Sequence, residues 1–246
     1  MKNNFFYQKS LANIYAKPSK KSEVVSQILF GEKFKVLSKK KNWLKIKTNY
    51  DNYSGFIKNE KFTQKFEPTH KVYKLKTKVF KRRNDKFIFS KKFLYFASRI
   101  SLMSLSGQFI KFKKNNWVKK KDLKLINFNE KNISKILKLF LNTKYLWGGK
   151  TSEGIDCSAL IQIYFYFNNI FFPRDTKDQT RFLKKNKNHK LYKKNNLMYW
   201  KGHVGFVLNK NLLIHAYGPK KKVVIMKINK TIKEIKKTTN LDIKLI

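Results

Sequence analysis

The chain has 246 residues, room for one large domain or two to three small ones, and its 58 Lys and Arg against 14 Asp and Glu give a formal net charge of +44. A single Cys excludes an intramolecular disulfide and fits a reducing compartment. Charge of this sign draws acidic partners, but Arg occurs only at positions 82, 83, 99, 174 and 181, and neither a reading helix nor an RNA-binding aromatic signature accompanies the Lys, so no specific nucleic-acid partner is expected.

The N-terminal stretch Met1–Pro18 has early charge but no apolar run of signal-peptide length, and no segment approaches the apolar length of a membrane helix. A cytoplasmic protein without a membrane span is therefore expected. From Val24 to Lys58 come V-V-S-Q-I-L-F-G-E, K-F-K-V-L, W-L-K-I-K and Y-S-G-F-I-K, short runs of β-branched and aromatic residues broken by charged turns, which predict strands. Glu67-Pro68-Thr69 reads as a linker, because the residue before Pro resists helix. Lys71 to Leu125 gives a weaker β-like echo of the first segment, so boundaries at 1–66, 67–127 and 128–246 are expected. The Lys runs 39–41, 119–121 and 220–222 read as solvated turns, and His70 and His189, in Lys-rich stretches, as solvated.

The third segment opens with a helix whose apolar stripe is Ile133, Ile136, Leu137, Phe140 and Leu141, with Asn129 as a candidate cap. Gly148, Gly149 and Gly154 then form a tight loop before Cys157, and Cys157, Leu160, Ile161 and Tyr164 follow at helical spacing. Cys157 should open a buried helix, where the dipole and the free N–H groups of the first turn favour a thiolate and can stabilise an oxyanion. An ordinary buried thiol is the plain alternative. The aromatic run Tyr164–Phe167 with Phe171 and Phe172 reads as core. A P-R-D loop and a Lys-rich insertion over 184–194 follow.

The residues V-G-F-V-L and N-L-L-I-H-A predict two strands joined by a turn near Asn209–Asn211, and V-V-I-M-K-I at Val223–Ile228 a further strand of the same antiparallel sheet. His203 and His215 can both reach Cys157 if their positions pair or lie diagonally. Cys157 is then a nucleophile, His203 the base that takes its proton and later protonates the leaving amine, and His215 the group that orients His203. Zinc is the competing reading of Cys and His, but there is no second Cys and no close ligand pair, so neither metal nor cofactor is expected.

Y-L-W-G-G, D-C-S, P-R-D-T-K-D-Q, W-K-G-H-V-G and L-L-I-H-A, in this order from about Asn129 onward, resemble the NlpC/P60 cysteine peptidases of bacterial cell-wall metabolism. The L-F-G-E and Y-S-G-F-I pieces resemble bacterial SH3-like (SH3b) barrels, with the second β segment assigned as much by position. The resemblance implies an α+β, papain-like catalytic domain behind two small all-β barrels. It also implies Tyr145 near the reacting carbonyl, Asp156 and Ser158 at the substrate's amino end, and Glu32 and Tyr53 as contacts to that amine from the first barrel. Where this family usually has Gly, the chain has Ala159, a small, helix-compatible exchange. The implied activity is hydrolysis of the γ-D-glutamyl–diamino acid bond in murein peptides with a free N-terminal L-Ala, a peptide-recycling step. A lytic endopeptidase acting on intact wall, or a basic binding module with a lapsed catalytic domain, are the alternatives.

Overall fold

The computed structural model describes residues 4–185 and 197–239, and the chain divides into two units, Met1–Asn129 and Glu130–Ile246. His189 and most of the Lys-rich insertion lie outside the described residues.

The first unit is all β. Strands β1 (Asn4–Phe6), β2 (Leu11–Tyr15), β3 (Val24–Leu29), β4 (Lys33–Lys40), β5 (Trp43–Thr48) and β6 (Ser54–Lys58) form one antiparallel sheet in the order β1-β4-β5-β6-β2-β3. Alternation places Ile14, Phe34, Leu44, Ile46 and Ile57 on its inner face, where they close a core with Tyr7 and Ile28. Strand β7 (His70–Val72) joins β10 (Arg99–Ile100) and β14 (Leu123–Leu125) in a three-stranded sheet. The five-stranded sheet β11-β12-β13-β8-β9 is built from β8 (Lys76–Arg83), β9 (Lys86–Tyr95), β11 (Ser104–Ser106), β12 (Phe109–Lys113) and β13 (Asn116–Lys119).

These sheets share a second core that includes Phe30 from the first segment, beside Val72, Val79, Leu94 and Val118. Gly31 makes the junction possible: its φ is +76°, and a Cβ there would lie 2.1 Å from the Arg99 carbonyl oxygen, while the Arg99 N–H donates to Phe30 O at 2.9 Å. The segment expected to be a linker is tied in at Thr69, whose N–H donates to Ile100 O and whose hydroxyl accepts from Leu102 N. His70, expected in a solvated loop, is a half-buried residue of β7.

The second unit is mixed. Helix α1 (Ile133–Leu139) is capped by Asn132, whose side chain accepts from Lys135 N, three residues beyond the expected Asn129. Ile136, Leu137 and Phe140 are buried as the stripe predicts, but Leu141 lies past the helix end and is exposed. A short hairpin, β15 (Lys150–Thr151) and β16 (Gly154–Ile155), leads into α2 (Cys157–Phe167). All of α2 is buried, as befits a helix apolar on every side, and it packs on α1 and on the strands that follow. Phe172 joins this interior, stacked on Phe165, whereas Phe171 is exposed and packs edge-on to Phe182.

The loop expected after α2 contains instead a helix, α3 (Thr176–Lys185). Its sequence T-K-D-Q-T-R-F-L-K-K has no apolar stripe, and its buried anchor is the polar Gln179. A four-stranded antiparallel sheet follows in sequence order: β17 (Leu197–Trp200), β18 (His203–Val207), β19 (Leu212–Tyr217) and β20 (Lys222–Lys227). The Asn209 side chain holds the expected turn by accepting from the N–H groups of Asn211 and Leu212. Helix α4 (Ile228–Thr239) takes over where β20 ends, its Ile228, Ile232 and Ile235 packed with Trp200 and Leu213. Among the described residues, no helix is long and apolar enough to cross a membrane.

Candidate active site

The site starts with the turn that presents Cys157. Gly148 has φ +72°, and a Cβ on Gly149 would meet the Gly154 carbonyl oxygen at 2.4 Å, so only Gly lets these two segments touch. Asp156 is the N-cap of α2, its Oδ1 accepting from Ala159 N at 2.8 Å, which makes Cys157 the first helical residue.

Asp156 does more than cap. Its carboxylate accepts from Gly148 N, Ser158 Oγ and Ala159 N and from both terminal nitrogens of Arg174, at 2.6 Å to Oδ2 and 3.0 Å to Oδ1. Arg174 also donates to Ser158 Oγ at 2.8 Å, and the pair is buried, with side chains 1% and 7% exposed. Arg174 thereby fixes the Asp156 carboxylate and the Ser158 hydroxyl in place from inside the unit, through a bidentate, charge-assisted contact. Arg174 is the residue the sequence reading passed over, and a signal for it existed, since one of only five Arg in a Lys-rich chain marks a place where a planar fork is needed.

Gln179 completes this support. Its Nε2 donates to Ser158 O and Pro173 O, and its Oε1 accepts from the Tyr199 hydroxyl at 3.1 Å, so α2, α3 and β17 are locked by one buried amide.

The Cys157 sulfur lies 3.8 Å from Gly202 O, and the backbone N–H groups of Val204 and Ser158 point to it, so it sits against β18 on either side of His203. Burial, and then the Asp156 carboxylate, push the thiol up to about 12, outweighing the two N–H groups and Arg174, which pull it down. Burial therefore opposes the thiolate that the helix terminus and its N–H groups favour. Tyr145 is half-buried, and its hydroxyl is pushed up by burial and by the neighbouring Cys157 and Asp156, so it stays a donor.

The β18–β19 register pairs Phe206 with Ile214 and Val207 with Leu213; continued, it sets His215 across from Gly205 and His203 across from Tyr217. The two His are therefore diagonal, and Gly205, whose missing Cβ would lie 3.6 Å from that of His215, leaves the space over which they meet. His203 Nε2 and His215 Nδ1 are 2.9 Å apart. Tyr217 stacks on the His215 ring at 4.6 Å and 12°, and Trp200 lies 5.6 Å from the His203 ring. Burial pulls His203 down to about 4; burial and the neighbouring His203 pull His215 down to about 2. Burial thus disfavours the charged form of both rings. A neutral imidazole beside a hydrogen-bonded partner suits a group that takes up a proton during a reaction and then gives it back.

Glu32 and Tyr53 belong to the first unit. Glu32 is buried, with Oε2 accepting from Leu29 N at 3.0 Å, which closes its own turn, and the Tyr53 N–H donates to the Thr48 hydroxyl at 2.9 Å. Among the described residues, no group of three or more His, Cys, Asp or Glu could hold a metal ion.

Residues 142–240 match the family model described as NlpC/P60 family, and residues 10–61 the one described as bacterial SH3 domain. Dipeptidyl-peptidase 6 of Lysinibacillus sphaericus is 25% identical over 231 residues, covering 84% of either chain. The γ-D-glutamyl-L-lysine dipeptidyl-peptidase of Bacillus subtilis is 24% identical over 239 residues, covering 86% of this chain and 78% of its own. The crystal structure of an NlpC/P60 family protein from Bacillus cereus superposes with a TM-score of 0.75 at 19% identity, over 92% of this chain and 94% of that one, and shares the fold. The chain thus carries a bacterial SH3 domain in its first unit and an NlpC/P60 domain in its second.

Proposed function

We propose that the second unit is a cysteine peptidase that hydrolyses the γ-D-glutamyl–diamino acid bond of short cell-wall peptides bearing a free N-terminal L-Ala. The observation that carries this reading is the hydrogen-bonded pair of His203 on β18 and His215 on β19, with the Cys157 sulfur 3.8 Å from the carbonyl oxygen of Gly202, the residue just before His203. In the proposed reaction the sulfur attacks the carbonyl carbon as His203 takes the thiol proton. The carbonyl oxygen becomes an oxyanion, with the Ser158 N–H and the Tyr145 hydroxyl as its donors. The intermediate collapses, the C–N bond breaks, and His203 returns the proton to the leaving amine. Water, deprotonated by His203, then attacks the thioester and restores the thiol.

The substrate assignment rests on the relatives named as dipeptidyl-peptidases, which span most of this chain. The proposal also takes the sheets over 70–125 as a second SH3-like barrel, Glu32 and Tyr53 as contacts to the amino end, and the reaction as a peptide-recycling step within the cytoplasm. The test is to incubate wild type and Cys157→Ala with L-Ala-γ-D-Glu-diaminopimelate, with its N-acetylated form and with purified wall, and to identify products by mass. Release of L-Ala-γ-D-Glu by wild type alone, slowed at least about tenfold by acetylation, is expected, since a site selective for a free amine would lose about 1.4 kcal/mol or more of binding to a capped one. Equal rates on both peptides would refute amino-end selection. Cleavage of intact wall only would make the protein a lytic endopeptidase. Activity in Cys157→Ala would refute the thiol mechanism.

A further inference from the structure

The hydrogen-bonded pair does not end at His215. Its Nε2 lies 3.3 Å from the sulfur of Met226, on the neighbouring strand β20. The register pairs His215 with Val224 and Leu213 with Met226, so Met226 reaches the ring along the diagonal, as His203 does from the other side. The thioether packs in the cluster of Trp200, Leu213 and Tyr217, which leaves it little freedom to turn away.

We infer that Met226 is a positioning residue that sets the tautomer of both imidazoles and so decides which nitrogen of His203 is free to act as base. A thioether sulfur has no hydrogen and can only accept. Its contact with His215 Nε2 therefore requires the hydrogen on Nε2. Each neutral ring carries a single N–H, so His215 Nδ1 holds a lone pair. The 2.9 Å contact between His215 Nδ1 and His203 Nε2 then needs its hydrogen from His203, which puts one on Nε2 and leaves Nδ1 bare. The opposite tautomer of His203, with Nδ1–H, cannot take a proton from the thiol. A side chain at 226 that offered a donor would favour that inactive form. The Tyr217 ring stacked on His215 at 4.6 Å opposes an alternative solution in which the ring rotates.

This inference rests on the proposed peptidase only for its catalytic consequence; the tautomers are observable without any substrate. The full chain has four His, so the ¹⁵N-imidazole spectrum of uniformly labelled protein at pH 7 is assignable by single His→Gln variants. Both His203 and His215 should appear as Nε2–H tautomers. Met226→Leu, which keeps the volume and removes the acceptor, should convert His215 to a mixture and carry His203 with it. In a peptide-cleavage assay the same variant should lose about three- to tenfold in kcat with KM nearly unchanged, and Met226→Lys, which brings a donor, should lose more. An Nδ1–H form of His215 in the wild type, or identical imidazole spectra in wild type and Met226→Leu, would overturn the inference. If the Leu variant is unfolded by circular dichroism, the wild-type spectrum alone decides. Tautomers as stated, in a protein that cleaves no peptide, would refute the peptidase and leave the role of Met226 standing.

Discussion

Replacing Arg174 by Met removes a buried cation while keeping a long apolar stem. In the folded protein Arg174 and Asp156 are 2.6 Å apart at their closer contact, with side chains 1% and 7% exposed. Deleting one member of such a pair leaves the other charged and unmatched, which costs about 3–5 kcal/mol. Three donors remain on Asp156 in the variant, the N–H groups of Gly148 and Ala159 and the Ser158 hydroxyl, so the lower end, about 3 kcal/mol, is expected. If the whole chain unfolds in one transition, that is a Tm lower by about 6–12 °C. Asp156→Asn alone should cost a similar amount, because it strands the guanidinium. The double variant Asp156→Asn/Arg174→Met removes both charges yet keeps an amide oxygen to cap α2, and should cost less than about 2 kcal/mol, well short of the sum. Urea unfolding of the four proteins, followed by circular dichroism, closes the cycle. A loss below about 1 kcal/mol for Arg174→Met, or a double variant equal to the sum of the singles, would refute the role assigned to this pair. Arg174→Lys should also fall short of wild type, since one ammonium cannot engage both carboxylate oxygens and Ser158 in the same plane.

The acid limb of kcat/KM should lie below the ordinary His value of about 6.5, toward 4, where burial pulls His203; a limb between 6 and 7 would refute that depression. Because His203 and His215 are depressed in the folded state, the unfolded chain takes up protons first, so their contribution to stability is whole above about pH 6.5 and is lost as pH falls toward 4; denaturation midpoints at pH 7.5 and 5 should show that fall, and a flat profile would contradict it. Gly149→Ala drives a Cβ to 2.4 Å from the Gly154 carbonyl oxygen and should cost about 2 kcal/mol or more, checked by thermal unfolding, with a neutral result showing that the turn can open. Raising salt should release nucleic acid adsorbed to the Lys-rich surface while sparing peptide cleavage, because exposed charges are screened over about 8–10 Å; sequence-selective binding that survives high salt would reverse that view.

What the sequence determined by itself was local and periodic. Cys157, Leu160, Ile161 and Tyr164 at helical spacing behind a Gly-rich turn announced α2, because a turn that tight and a helix that apolar each permit few residue types. Alternation marked β18 and β19, and the separation of His203 from His215 allowed the diagonal meeting the sheet provides. Helix α4 was legible in principle, with Ile228, Ile232 and Ile235 at i, i+4 and i+7. Helix α3 was not, since a polar amide rather than an apolar stripe anchors it. Tertiary structure alone decided the rest. Arg174 reaches Asp156 across 18 residues and Met226 reaches His215 from a neighbouring strand, partnerships that no spacing rule encodes. Burial works against charge at the site: a helix terminus in water would favour a thiolate, but enclosure penalises every charged form, and so pushes Cys157 up and pulls His203 down. A pKa depends on everything packed around a group, and a sequence gives only what precedes and follows it.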